Sequence, residues 1–255
     1  AVTLKQRGFD VVVFDKRDEI GGNLHVAKKP PFKGKFEWAI DYYKSMAKKL
    51  NITMKLGKEV TAQEVLALKP YSILVATGSN VISIPLEGLD QVQTVQAHDV
   101  LANDMQFANK KVVVIGGGIT GLETALYNNR QGTNQVSVVD MLPEWPVDML
   151  DMRYQNEALL EVRHCNDQGV ALFYNNKVVK FADGKLFIES TKDGEVKELP
   201  ADVIVLSVGV KPNDALWQEL LASGHPSVWK AGDAIATGKI NKAVLHGSKF
   251  GYSLN

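Results

Sequence analysis

An α/β fold of two βα domains, the second inserted in the first, is what the sequence predicts. Three observations predict it. Short β-branched runs (Val11 to Phe14, Tyr71 to Ala76, Lys111 to Ile115, Val203 to Val208) read as strands buried on both faces. Segments with apolar residues at three- and four-residue steps alternate with them and read as helices. The strand–helix cycle starts twice, and a last strand and helix near the end are left over to close the first cycle.

The elements follow in order. Ala1 to Arg7 reads as the last two turns of a helix with Gly8 as its C-cap, so part of the first domain is expected upstream. Phe9 to Asp15 is a strand, and Gly21-Gly22 breaks the chain. Residues 28–34 form a Lys/Pro/Gly loop. Phe36 to Leu50 is a helix, since Phe36, Ile40, Tyr43, Ala47 and Leu50 share one face. Ile52 to Leu56 alternates as a strand. Thr61, with Glu64 three residues on, opens a short helix through a capping box. Tyr71 to Ala76 is a strand ending at Thr77-Gly78.

The second cycle starts with the strand Lys111 to Ile115, a glycine turn and a helix over Leu122 to Arg130. The strand Gln135 to Val139 ends in Asp140, and Gln155 to Arg163 is helical. Ala171 to Tyr174, Val178 to Phe181, Leu186 to Ser190 and Glu195 to Leu199 are short strands; the turns Ala182-Asp183-Gly184 and Lys192-Asp193-Gly194 mark hairpins. Val203 to Val208 is a buried strand leading to Gly209 to Asn213. Asp214 to Leu221 is a helix. Val228 to Asp233 ends the last strand, and Ile240 to Leu254 is the closing helix. The domains are thus 1–107 with 228–255, and 108–227.

Bulk composition removes several function classes. Basic and acidic residues balance at 29 each among 255 residues, so nothing pulls the chain toward nucleic acid or an anionic membrane. No apolar stretch reaches the ~18 residues a membrane span needs. Cys165 is the single cysteine, which excludes an internal disulfide, a CxxC pair or an iron–sulfur ligand set, and a reducing, cytoplasmic home is expected.

The chemistry is carried by Val112 to Glu123. Gly116-Gly117-Gly118-Ile119-Thr120-Gly121 follows a strand, opens a helix, and has an acid, Asp140, 19 residues after its last glycine at the end of the next strand. That context is the dinucleotide fingerprint of a Rossmann-like domain; a glycine turn without a ligand is the plain alternative. Gly116 makes the turn, Gly118 lets backbone approach the pyrophosphate, and Gly121 lets helix and strand pack closely. The helix N-terminus meets the phosphates. Asp140 accepts hydrogen bonds from the adenosine ribose and repels a 2′-phosphate, so NADH is favoured over NADPH. The nearest bases, Arg130 and Arg153, have no evident placement to reverse this.

A second, incomplete set lies in the first domain. Asp15 ends a strand and is followed by Gly21-Gly22, as in another dinucleotide fold whose glycine loop would precede Ala1. Ala76-Thr77-Gly78 is a strand-end turn small enough to pass close to a cofactor. Gly232-Asp233, before the closing helix, puts a carboxylate where it meets a ribityl hydroxyl of FAD. Each piece alone is common; together they predict an FAD/NAD(P)-binding fold of two Rossmann-like dinucleotide-binding domains.

On Asp15, Gly21-Gly22, Ala76-Thr77-Gly78, Gly116 to Gly121, Gly209 to Asn213 and Ala231-Gly232-Asp233, the chain resembles the two-dinucleotide-domain flavoproteins. The run Ile20 to Pro31 with Asp41-Tyr42-Tyr43 is similar to the C-terminal part of the 2,4-dienoyl-CoA reductase and 2-enoate reductase family, of which trimethylamine dehydrogenase is a relative. The resemblance implies an N-terminal barrel with FMN and an iron–sulfur segment, both absent here, as this module's partners. Electrons would pass from NADH to FAD, to the cluster, to FMN and to an activated C=C bond. The rival reading is a structural or docking module that holds ADP or NAD without redox turnover. Association into a homo-oligomer stays open.

Other residues carry two readings each. Glu123 is a solvated helix acid or, by the resemblance, one that approaches the nicotinamide. Gly209 and Asn213 border the NAD site or form a plain strand-to-helix turn. His25 reads as structural, and His164 with Cys165 lacks the further ligands of a metal site. Lys28-Lys29 and Lys48-Lys49 read as solvated surface, and Trp38, Trp145, Trp217 and Trp229 as core or interface packing. No side chain stands out as a nucleophile or general base; hydride transfer needs orientation more than side-chain chemistry.

Overall fold

A computed structural model gives the fold and describes residues 1–130, 132–143 and 152–255, with the side chains of 152–155 outside the description. The first elements are α1 (Val2–Gln6), β1 (Val12–Phe14), α2 (Leu24–Ala27), α3 (Phe36–Lys49), β2 (Thr53–Lys55), α4 (Ala62–Ala67), β3 (Ile73–Val75) and β4 (Ser79–Val81). Then come β5 (Gln93–Gln96), α5 (Ala97–Ala102), β6 (Lys111–Ile115), α6 (Ile119–Asn129), β7 (Gln135–Val139), α7 (Met152–Asp167) and β8 (Ala171–Phe173). The chain continues through β9 (Asn176–Ala182), β10 (Lys185–Ser190), β11 (Val196–Pro200), β12 (Val203–Leu206) and β13 (Val210–Pro212). It closes with α8 (Ala215–Ala222), β14 (Val228–Lys230) and α9 (Ile240–Ser253).

Two compact units result. One holds Ala1–Leu24, Phe36–Ile82 and Val210–Asn255; the other holds His25–Lys35 and Ser83–Gly209. The boundaries differ from the predicted 107/108 and 227/228. Residues 93–96 join the second unit because β5 pairs in parallel with β12, Gln93 opposite Val203. Gln93-Thr94-Val95-Gln96 is an edge strand, polar except for Val95, and carries none of the apolar run that marks the central strands. Residues 210–222 join the first unit because β13 pairs antiparallel with β4 and α8 packs on β3 and β14.

In the second unit, β5, β12, β6, β7 and β8 form a five-stranded parallel sheet in that order. Successive side chains point to opposite faces. Val112, Val114, Val203 and Val205 therefore pack with Leu122, Leu126 and Tyr127 of α6 and Val162 of α7. Val113, Ile115, Ile204 and Leu206 pack against Phe181, Leu186 and Ile188 of a second, antiparallel sheet ordered β11, β10, β9. Burial on both faces is why the central strands read as unbroken apolar runs. The predicted hairpin turn at Asp183-Gly184 is present, both residues having positive φ.

In the first unit, β14 pairs in parallel with β3, Val228 opposite Ile73, which returns the end of the chain to the first cycle. Helices α4 and α8 cover that pair through Val65, Leu66, Leu216 and Trp217 around Ile73, Val75 and Leu220. The Thr61–Glu64 capping box of α4 is formed in both directions. Helix α9 lies on α1: Arg7 donates to the Gly251 carbonyl at 2.7 Å, and Gly251 leaves room for Thr3. The Val11 to Phe14 run behaves differently from its prediction. It is a strand over 12–14 paired with β2, and Val12 is 45% exposed because a two-stranded pair offers little to cover it.

The tryptophans also differ from the core reading. Trp38 is exposed on α3, and Trp229 is half exposed, with its indole N–H donating to Ser227. Trp217 is a packing residue, with the Lys230 ammonium 4.1 Å from its ring centroid. Trp145 and the Arg153 side chain lie outside the described residues. Among the described residues no helix is long and apolar enough to cross a membrane.

Candidate dinucleotide site

The glycine turn joins β6 to α6. Gly116 has φ +107°, and a Cβ there would lie 2.3 Å from the Ser207 carbonyl oxygen, next to the end of β12. A Cβ on Gly121 would lie 1.9 Å from the Gly116 carbonyl oxygen. One position thus requires glycine for the turn and the other for the approach of helix to turn. Gly118 is the N-cap of α6, and a Cβ there would meet nothing within 4 Å, so its face is open to a ligand. With Ile119 and Thr120 it begins the helix whose first N–H groups have no partner inside the helix.

Asp140 sits beside this turn. Its Oδ2 accepts from the Gly117 N–H at 2.6 Å, and its Oδ1 accepts from the Leu142 N–H at 2.8 Å. The backbone of Asp140 is held as well, its N–H donating to Phe173 and its carbonyl accepting from the N–H of Asn176. The carboxylate is therefore fixed to the glycine turn before any ligand arrives. Each oxygen keeps a lone pair for a hydroxyl. Arg130 lies elsewhere, its guanidinium 4.1 Å from the Tyr127 ring centroid. Tyr174 and Ser207 line the turn and were missed in the sequence, because a lone Tyr or Ser after a strand carries no pattern.

Glu123 is not a solvated acid. It is 7% exposed and forms an ion pair with Lys33. The Lys33 ammonium also lies 2.6 Å from Glu157 and 4.0 Å from Glu161, both on α7. Burial lowers the Lys33 pKa, but its hydrogen bonds to Glu123 and Glu157 outweigh this and raise it above the usual lysine value. Burial pushes Glu123 and Glu161 up, and Lys33 pulls each part of the way back. Lys33 was passed over as one lysine of a loop; only the acid-rich helix after Arg153 hints at its partners. Lys29 differs from the solvated reading too, since it pairs with Asp104, which also accepts from the Tyr127 hydroxyl at 2.7 Å. The His164 ring lies tilted against that of Phe32, centroids 5.1 Å apart, and Cys165 is buried, its thiol pushed up to about 12.

The first unit gathers the remaining predicted residues. Asp15 accepts from the Arg17 N–H at 3.0 Å, and the Arg17 guanidinium donates to the Gly22 carbonyl. Gly21 and Gly22 both have positive φ, and a cavity of about 290 Å³ beside Gly21 is lined by apolar side chains including Val13, Leu24 and Met54. Ala76-Thr77-Gly78 follows β3. The Thr77 hydroxyl donates to the Asn213 carbonyl at 2.5 Å, and the Asn213 N–H donates to the Gly78 carbonyl at 3.0 Å. Asn213 thus belongs with the Ala-Thr-Gly turn rather than with the NAD turn. Gly209 is the last residue of the second unit. Asp233 accepts from the Ser79 hydroxyl at 3.3 Å and from the Gly238 N–H at 3.0 Å. It lies in a short 3₁₀ turn over Gly232–Ala234, while α9 starts only at Ile240, so the carboxylate does not sit at the closing helix's first residue.

A parallel sheet, a glycine turn at a helix N-terminus and an acid locked to that turn define a dinucleotide-binding protein. The chain belongs to the pyridine nucleotide-disulphide oxidoreductase family, whose sequence profile matches residues 1–245. It is 30% identical over its whole length to a Thermoanaerobacter brockii NADH oxidase, covering 39% of that protein. It is 33% identical over 81% of its length to a bilirubin reductase of Mediterraneibacter gnavus, covering 31% of that protein. A solved 2-naphthoyl-CoA reductase complex superposes over the whole chain with a TM-score of 0.89 at 27% identity, and 38% of that chain is covered. The chain therefore spans about a third to two fifths of the length of the relatives it matches. Its kinship is with the pyridine nucleotide-disulphide oxidoreductases, whose FAD- and NAD(P)H-binding fold it has.

Proposed function

We propose that this chain is the electron-input module of a larger flavoenzyme, taking hydride from NADH for delivery to FAD. The observation that carries the reading is the Asp140 carboxylate fixed on the Gly117 N–H at 2.6 Å, beside the open face of Gly118. In this reading the first N–H groups of α6 hold the pyrophosphate and Asp140 accepts the adenosine ribose hydroxyls. A 2′-phosphate would bring like charge against a carboxylate that two backbone N–H groups hold in place, which favours NADH over NADPH. Asp15, Gly21, Gly22, Thr77 and Asp233 are the residues that would hold FAD. Bound flavin supplies the hydride acceptor; the chain's own part is to bind, orient and exclude water.

The onward path follows the relatives. Their length beyond this module leaves room for an FMN barrel and an iron–sulfur segment, and the names bilirubin reductase and 2-naphthoyl-CoA reductase fit an unsaturated final acceptor. We assign an enoate or enoyl-CoA type C=C bond as that acceptor, and a cytoplasmic home. Cys165, the single cysteine, is buried on α7, so an internal disulfide is not the next carrier. Titrating the flavin-loaded protein with NADH without oxygen tests the module: bleaching of the flavin colour supports it, and binding of NADH with no bleaching overturns it in favour of a nucleotide-holding module.

A further inference from the structure

The segment His25–Lys35 lies between two stretches of the first unit in sequence, yet it belongs to the second unit. Val26 is buried in the core with Leu122 and Leu126 of α6. Two lysines then pin the segment: Lys29 to Asp104, and Lys33 to Glu123 and Glu157. Between the pins, Phe32 takes φ +68°, a left-handed conformation that costs a bulky residue free energy and persists only when neighbours enforce it. Phe32 itself is 78% exposed, so burial of its side chain does not provide that enforcement. Its ring meets that of His164 on α7, centroids 5.1 Å apart, and the next residue, Lys33, is held by its ion pairs with 18% of its side chain exposed.

We propose that residues 28–35 form a strap latched on α6 by the ion pairs of Lys33, and that its closure is coupled to dinucleotide binding at the N-terminus of the same helix. The coupling clause rests on the function proposed above; the latch does not. Among the described side chains, the groups facing the latch are Lys33 on the strap, Glu123 on α6, and Glu157, Glu161, His164 and Cys165 on α7. Glu123 carries the coupling because it sits one turn into the helix whose first turn takes the pyrophosphate, and two ligands that favour one state of a shared element help each other.

Hydrogen exchange of the strap peptide read by mass spectrometry tests both clauses on the whole protein, with thermal unfolding as a check that each variant folds. Lys33→Met should speed strap exchange about tenfold or more at neutral pH, while Lys33→Arg, which keeps the cation, should stay near wild type. ADP-ribose, which needs no flavin, should slow exchange of the wild-type strap and bind several-fold more weakly to Lys33→Met. Wild-type exchange in a folded Lys33→Met protein overturns the latch. An opened strap with unaltered ADP-ribose affinity overturns the coupling. A wild-type chain that binds no dinucleotide at all overturns the coupling and the proposed function together, while strap exchange in Lys33→Met still decides the latch.

Discussion

The Asp140 carboxylate accepts the Gly117 N–H at 2.6 Å and the Leu142 N–H at 2.8 Å, so one side chain shapes the glycine turn and presents the acceptor for a ribose. The acid that discriminates between nucleotides is also a structural cap of the turn. Substitutions there change binding and local order together, and the choice of replacement separates the two.

Asp140→Asn keeps one acceptor oxygen and removes the charge. Charged hydrogen bonds contribute about 1.5–3 kcal/mol, and a loss at the low end is roughly tenfold in affinity. NADH should bind about tenfold more weakly, with NADPH less affected, so that the preference between them narrows. Calorimetric titration with both nucleotides checks it; an unaltered ratio contradicts the ribose role.

Gly121→Ala places a methyl 1.9 Å from the Gly116 carbonyl oxygen, a backbone atom that cannot step aside without moving the turn. The expected cost is ~3 kcal/mol, the upper end for overpacking, along with most of the dinucleotide affinity. Gly118→Ala meets nothing within 4 Å of its Cβ in the chain itself, so it should fold normally and lose affinity only. Thermal unfolding with and without NADH distinguishes the two variants.

How far the site was legible in the sequence is visible in these same residues. Gly116, Gly118, Gly121 and Asp140 were readable because each answers to one rigid requirement at fixed spacing, and the sheet was readable because burial on both faces leaves unbroken β-branched runs. Lys33 was not, since its partners come from α6 and α7, and pairing across 90 residues leaves no local trace. Residues 93–96 and 210–222 fall in the other unit than the sequence suggests for a related reason. A mostly polar edge strand and a helix that could serve either domain carry no mark of their unit in sequence; the pairings of β5 with β12 and of β13 with β4 place them.

The carboxyls around Lys33 give a pH dependence of stability with a definite sign. Burial raises the folded pKa of Glu161 above its unfolded value, so the ionised form costs stability. That cost is fully present above the folded pKa and is relieved as pH falls toward the unfolded value. Glu161→Gln should therefore raise the unfolding temperature at pH values above the folded pKa and lose that advantage on acidification. Thermal scans across pH decide it, and a destabilised variant at alkaline pH would contradict the burial argument.

Cys165 is buried on α7 with its thiol near the Leu122 carbonyl, 3.8 Å away, and pushed up to about 12. The thiolate is the reactive form, so the native protein should resist alkylation at mildly alkaline pH and react only after denaturation. Rapid native labelling would show that this face of α7 opens.

The most direct test of the central claim is the rate at which the flavin of the loaded protein bleaches after rapid anaerobic mixing with NADH, compared with NADH carrying deuterium at the transferred position. Hydride delivery by this module predicts bleaching that saturates with NADH, slows with deuterium, and is driven less efficiently by NADPH. Bleaching that ignores deuterium and persists unchanged in Asp140→Asn, or no bleaching while NADH binds, would contradict it.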